Sequence, residues 1–308
     1  MKKKNVASCM LFWSAMACAT WAPAQGRRAV DDLGVEVVLD RSPQRIVSLA
    51  PNNTEFLFAL GLGGRIVGVT NACDYPPEVD AIDEVAGYNT LNIEKIVAVE
   101  PDLVVAIRGN DLEGIKALEE LGINVFSLEI QTVEQMLLAI LRLGALTGTE
   151  EAAEDLRNKL QHRIRQVRRR VLAQDERPRI MWGGWSETVY TAGKGTMIDD
   201  VFRLAGGLNA GRAASGAWPQ VGLETIIGWS PEVIITTYLP KAEGQTPEEV
   251  IGREVKRLQV TDGWRALPAV QKERIYFVDG DWLLRPGPRL VDALERIARL
   301  LHPTAFDD

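Results

Sequence analysis

Catalysis needs a nucleophile, a base or metal ligands held close together, and this 308-residue chain supplies few of them. It has no Gly-x-Ser-x-Gly elbow and no His-Glu-x-x-His pair. Gly193-Lys194-Gly195-Thr196 carries the Lys and Thr of a phosphate loop without its spacing, and a turn leading into a helix accounts for it. The two histidines, His162 and His302, stand apart from other ligand types. That argues against a His-held zinc or haem iron and places both on the surface. Beyond the N-terminal segment the one thiol is Cys73, so no intrachain disulfide is expected. With no His near it in sequence, it reads as a structural thiol. The expectation is a protein that is not an enzyme and that holds no catalytic residue, metal or cofactor of its own.

Aromatic side chains are the stronger chemical signal. All six Trp beyond residue 24 lie in the C-terminal part of the chain. Trp229 and Trp264 sit in predicted helices and are expected in the core. Trp182 and Trp185 come at the end of a predicted strand, Trp218 in a Gly/Ala-rich loop before Pro219, and Trp282 just after another strand. Tyr75 and Tyr88 fall in loops of the N-terminal part. Flat rings gathered on loops suit a large ligand with planar, apolar surface. Arg108 and Arg285 are the cations in the same set of loops.

The elements that would gather these loops fall into three parts. In residues 44–148, strands are predicted at 45–50, 66–70, 103–107 and 125–128, with a turn at 51–53 and helices at 54–60 and 111–121. Such alternation implies a parallel sheet covered on both faces. Residues 149–177 form one long helix, with Ala152, Leu156, Leu160, Ile164, Val167 and Val171 at helical spacing. Arg163, Arg165, Arg168, Arg169 and Arg170 crowd its C-terminal half. There the helix dipole favours cations, and a solvated face explains them better than nucleic acid does. Residues 178–308 resume the alternation, with strands at 179–182, 233–236 and 274–278 and helices at 197–205 and 288–301. The expected fold is α/β: two parallel-sheet lobes joined by one long α-helix. A ligand cleft would lie between the lobes, because open α/β sheets bind ligands beyond the carboxyl ends of their strands.

An internal repeat supports two similar lobes. Ile93-Glu94-Lys95-Ile96, followed by Pro101-Asp102-Leu103-Val104, matches Leu223-Glu224-Thr225-Ile226, followed by Pro231-Glu232-Val233-Ile234, at a constant offset of 130. Each copy reads as a helix opened by an acid, a Pro stop, an acid and a buried strand. A fainter echo pairs residues 115–121 with 264–270.

The N-terminus reads as an export signal, residues 1–24. Lys2, Lys3 and Lys4 precede an apolar run, and Ala22-Pro23-Ala24 offers small residues for cleavage. Lipid attachment at Cys18 is the weaker alternative. The formal net charge is −7, and those residues contribute three Lys and no acid, so the remainder stands at −10. A nucleic-acid partner would require a basic face instead.

Arg45-Ile46-Val47-Ser48-Leu49-Ala50-Pro51-Asn52-Asn53-Thr54-Glu55, Cys73-Asp74-Tyr75-Pro76-Pro77, Asn92-Ile93-Glu94-Lys95-Ile96 and Pro101-Asp102-Leu103-Val104 closely resemble the helical-backbone periplasmic binding proteins. These serve ABC importers of vitamin B12, haem and ferric siderophores. Trp218-Pro219-Gln220-Val221 and Asp281-Trp282, with Arg285 following, resemble the vitamin B12-binding branch. That resemblance implies a corrinoid pocket lined by Tyr88, Trp218, Asp281, Trp282 and Arg285. It also implies docking of Glu94 and Glu224, one on each lobe, on Arg residues of an ABC permease dimer. The chain departs from the enterobacterial pattern at Ala72, Tyr88 and Arg108, where Tyr, Trp and Trp stand. The implied protein is a periplasmic monomer that delivers a cobalamin-like ligand. Haem or a ferric siderophore is the alternative within the class. An enzyme on a chelatase-like two-lobed fold would need a metal-facing His or paired acids in the cleft.

Overall fold

The computed structural model describes residues 26–239 and 244–307, so the predicted export segment lies outside the described residues. The first lobe opens with a hairpin, β1 (Arg27–Val30) and β2 (Glu36–Leu39). It continues through β3 (Ile46–Ser48), α1 (Pro51–Ala59), β4 (Ile66–Thr70), β5 (Glu84–Ala86), α2 (Ile93–Ala98), β6 (Leu103–Ile107), α3 (Leu112–Glu120), β7 (Val125–Leu128) and α4 (Val133–Thr147). α5 (Glu150–Leu172) leads to the second lobe. There follow β8 (Arg179–Trp182), β9 (Thr188–Tyr190), α6 (Met197–Leu204), β10 (Leu208–Asn209), β11 (Gln220–Gly222), α7 (Leu223–Trp229) and β12 (Val233–Thr236). The lobe closes with α8 (Pro247–Leu258), α9 (Pro268–Gln271), β13 (Ile275–Phe277), α10 (Gly280–Leu283) and α11 (Leu290–Leu301).

The two larger sheets are parallel, in the orders β5-β4-β3-β6-β7 and β10-β8-β12-β13, while β1–β2 and β9–β11 form small antiparallel pairs. Side chains alternate across each sheet. Ile46, Leu103 and Val105 face the large core, whereas Val47, Val104 and Ala106 enter a smaller cluster on the other face. Buried on both faces, these strands are mostly apolar, as the sequence indicated. The large core is continuous: it runs from α1 and α4 through the buried face of α5 to α6 and α11. Gly144 permits the α4–α5 approach, because a Cβ there would stand 2.4 Å from that of Ala153. Among the described residues, no helix is long and apolar enough to cross a membrane.

Several expectations are adjusted. α1 begins at Pro51, so residues 51–53 are its first turn and not a separate loop. Proline suits the first helical position because no hydrogen bond is lost there. α4, α8 and the β1–β2 hairpin were not singled out from the sequence. His302 is buried, not on the surface: it ends α11 with its ring Nε2 3.3 Å from the Gly206 carbonyl. His162 is exposed on α5, and Arg163 of the basic run pairs with Asp292 and Glu295 of α11. Trp264 is buried in a short 3-10 turn, and Trp229 packs half-buried on the same cluster.

The repeat extends into the backbone. Glu100 and Ser230, 130 positions apart, both adopt the left-handed region, with φ of 44° and 48°. Each is followed by proline and then an acid that caps the first strand, in chain order, of its lobe's parallel sheet, β3 or β8. The Asp102 carboxylate accepts from the Gln44 and Arg45 amides at 2.8 and 2.9 Å, and that of Glu232 accepts from the Arg179 amide at 2.9 Å. Arg45 and Arg179 return the contact, donating from Nε to the Val99 carbonyl at 2.9 Å and the Ser230 carbonyl at 3.0 Å.

Candidate ligand cleft

In the first sheet, β3 has β4 on one side and β6 on the other, so the chain order reverses there. Loops diverge at this switch and open a crevice beyond the carboxyl ends of the strands. A cavity of about 510 Å³ lies there, lined on one side by Pro51, Asn52, Tyr88, Arg108 and Glu129 and on the other by Leu284, Arg285 and Pro286. A second cavity of about 260 Å³ adjoins it, sharing Ile130, Leu284 and Pro286. Gly195, Thr196, Met197 and Trp218 are among the other residues of its wall. Together they form one cleft with both lobes in its lining.

Tyr88 is held there by the backbone of its loop. The buried Asn110 carboxamide donates to the carbonyls of Leu49 and Tyr88, at 3.0 and 3.2 Å, and accepts from the Ile107 amide at 2.8 Å. Asn71 accepts from the Tyr88 amide at 3.2 Å. Tyr88 is 40% exposed. Trp218 stands 52% exposed with its edge against Trp182, ring centroids 5.8 Å apart. Buried Trp182 is in turn anchored through its indole N–H to the Thr237 hydroxyl at 3.3 Å. Gly193 donates to the Ala217 carbonyl at 2.8 Å, and a Cβ there would stand 2.1 Å from the Gly216 carbonyl oxygen. Glycine is thus what lets the Trp218 loop lie against the turn that opens α6. That turn is pinned by buried Asp199, which accepts from the Gly195 amide, Asn209 and Arg212.

The cleft's arginines are already partnered. Arg108 donates to Glu129 at 2.5 Å. Arg285 forks onto Asp74, with its second contact at 3.1 Å, and meets Asp281 at 3.1 Å. The hydrogen bond from Arg285 holds the Asp74 carboxyl below the usual carboxylate range. Each cation therefore faces the cleft beside a carboxylate, and the walls offer donors and acceptors with little net positive charge.

Of the residues expected at the site, Tyr88, Arg108, Trp218 and Arg285 line the two cavities. Asp281 acts one step back, on Arg285. Tyr75 lies under the Arg289 guanidinium, 3.9 Å from its ring centroid. Trp282 packs half-buried against the large core, and Trp185 against the outer cluster of the second lobe, so neither lines these cavities. Cys73 is half-buried, its sulfur 3.2 Å from the Thr54 and Thr70 hydroxyls. Glu129, Ile130, Leu284 and Pro286 were not anticipated. Residues 129–131 follow the carboxyl end of β7, and the strand-end rule that found the other loops would have found them too. Glu94 and Glu224 are both exposed, in the first turns of α2 and α7.

A profile of the family described as periplasmic binding protein matches residues 46–282. An uncharacterised ABC transporter substrate-binding lipoprotein, YvrC of Bacillus subtilis, is 30% identical over 280 residues, covering 89% of this chain and 84% of that protein. A vitamin B12-binding protein of Vibrio cholerae is 30% identical over 260 residues, covering 84% and 89%. The solved structure of RhuT, a periplasmic haem-binding protein from Roseiflexus, superposes with a TM-score of 0.72 at 25% identity, covering 85% of this chain and 99% of that one.

Proposed function

The chain belongs to the periplasmic binding protein family, a class of ABC-importer substrate-binding proteins, and from that premise we propose that it is an exported receptor for a cobalamin-like corrinoid. In this reading residues 44–148 and 178–308 are the ligand-gripping lobes, and residues 149–177 are the helix between them. The loaded monomer docks on a permease dimer through Glu94 and Glu224. No covalent step is involved. The relatives are transport proteins, and the cleft's polar groups are arranged for recognition.

The observation that carries the ligand class is the pairing of the cleft arginines. A polyanion such as a ferric catecholate would have to displace Glu129 from Arg108 and both carboxylates from Arg285. A neutral macrocycle rimmed with amides can instead bond to both members of each pair, its N–H groups to the acids and its carbonyls to the arginines. Its flat apolar face would lie on Tyr88, Ile130, Leu284 and Trp218. A relative named as a vitamin B12-binding protein, matched across most of its length, supports the same choice.

One observation favours haem as a second reading. The Tyr88 phenol lines the larger cavity, and a tyrosinate can be an axial ligand to haem iron. Neither histidine could serve, since His162 lies on the exposed face of α5 and His302 is buried against Gly206. Titration with cyanocobalamin, haem and a ferric siderophore, followed by Trp quenching and by calorimetry, separates these readings. Saturable binding of cyanocobalamin in preference to the others is expected. Binding of haem alone would sink the corrinoid assignment and select the second reading.

A further inference from the structure

Five consecutive residues of the second lobe, 285–289, hold the first lobe at three points. Arg289 forks onto Glu55 of α1, with Nε–Oε2 and Nη2–Oε1 distances of 3.1 and 2.7 Å. The same guanidinium covers the Tyr75 ring. Arg285 forks onto Asp74, the residue before Tyr75. Gly287 passes so close to Glu55 that a Cβ there would stand 2.9 Å from Oε2. The Glu55–Arg289 pair is largely withdrawn from solvent, with side chains 3% and 16% exposed. Burial pushes the Glu55 carboxyl above its usual range against the pull of Arg289. A carboxyl kept inside under those terms needs its partner in place. Between the two arginines lies Pro286, which with neighbouring Leu284 lines both cavities of the cleft.

We infer that residues 285–289 clasp the two lobes together beside the cleft, with Glu55 and Arg289 as positioning residues that set the cleft's width and hold the Leu284–Pro286 wall before ligand arrives. Neither residue lines the cavities; they act through Arg285, Tyr75 and the backbone between them. The helix α5 and the shared core join the lobes elsewhere, and the clasp adds a second attachment close to the ligand. Two attachments remove the freedom that one would leave. That cuts the ordering cost of binding and favours affinity through preorganisation.

The effect on affinity rests on the binding-protein reading, whereas the clasp itself does not, and the test separates them. Spin labels at Leu121→Cys and Val260→Cys, both on exposed sites of opposite lobes, report the interlobe distance by pulsed dipolar spectroscopy in a Cys73→Ser background. The otherwise unaltered chain should give one narrow distribution that cyanocobalamin hardly changes. Arg289→Met and Glu55→Gln should broaden or shift it in protein that still melts cooperatively. Cyanocobalamin should then bind roughly ten-fold more weakly through faster release. Arg289→Lys, which keeps the charge but not the fork or the stacking, should fall between. Distributions unchanged in folded Arg289→Met and Glu55→Gln would overturn the clasp; if only one of the two folds, it decides. Failure of the unaltered chain to bind cyanocobalamin would overturn the corrinoid reading alone, because the distances are read without ligand.

Discussion

Trp218 and Trp185 are both tryptophans on second-lobe loops, yet they should behave differently. Trp218 is about half exposed, lines the smaller cavity and is braced by Trp182. Trp218→Ala removes an aromatic wall and should weaken cyanocobalamin binding by about ten-fold, roughly 1.4 kcal/mol, in calorimetric titration. Trp185→Phe, away from both cavities, should leave affinity unchanged. The sequence drew attention to Tyr88, Arg108, Trp218 and Arg285, which line the cavities, because aromatic and charged side chains in loops are conspicuous. Ile130, Leu284 and Pro286 were not visible, because an aliphatic residue that lines a cleft is chemically the same as one in a core. His302 was misplaced for a related reason: a helix-ending His near the C-terminus looks exposed until α6 and Gly206 are found packed against it. Burial, reinforced by Arg177 and Arg274, pushes its pKa down from the ordinary histidine value. A depressed folded pKa means that the unfolded chain takes up the proton first as pH falls. Stability should therefore be intact above about pH 6.5 and decline below it, until the folded value is reached. Urea midpoints at stepped pH from 7.5 to 5 should fall for the unaltered protein and flatten in His302→Gln.

At the scale of elements, the long helix and the apolar strands were legible because each has one strong period and one buried pattern. β4, β6, β7, β8 and β12 fall where the apolar runs placed them. α4 was harder to read. Its two faces serve two neighbours, α5 and the β1–β2 hairpin, so its apolar residues do not form a single stripe. The repeat was legible as sequence, but its backbone consequence was not. A Pro after an ordinary residue does not announce a left-handed conformation, and neither Glu100 nor Ser230 is a residue that adopts it freely. The conformation lets each chain turn from its helix into the strand while exposing a carbonyl to Arg45 or Arg179. Left-handed backbone costs a side-chain-bearing residue about 1–2 kcal/mol relative to glycine's freedom. Glu100→Gly and Ser230→Gly, one per lobe, should each raise unfolding stability by up to about 1 kcal/mol in urea titration, since glycine's larger unfolded-state entropy offsets part of the gain. A loss of stability in either would mean that the side chain, not the backbone, holds that turn.

For the whole molecule, the decisive property is that two related lobes act as one body. One apolar core crosses from the first lobe to the second through α4, α5, α6 and α11. A body built this way is expected to shift little on loading, so a permease would recognise it by surfaces that are fixed relative to one another. Glu94 and Glu224 meet that requirement. They occupy the same position of the repeat, open the equivalent helices α2 and α7, and are exposed on separate lobes. Each sits in a first helical turn, where the dipole stabilises an acid without any partner, so its presence alone does not imply docking. The symmetry is what supports the proposed docking role, because a two-lobed ligand carrier matched to a permease dimer would need one anchor per lobe. Glu94→Ala and Glu224→Ala should each lower uptake of labelled cyanocobalamin in cells or proteoliposomes, and the double variant should lower it further. The solution affinity for cyanocobalamin should stay unaltered in all three. Raised salt should weaken the unaltered protein's delivery and affect the double variant less, because the screened contacts are those already removed. Uptake by the double variant at the unaltered rate, with ligand affinity intact, would assign both acids to helix capping and move the docking surface elsewhere.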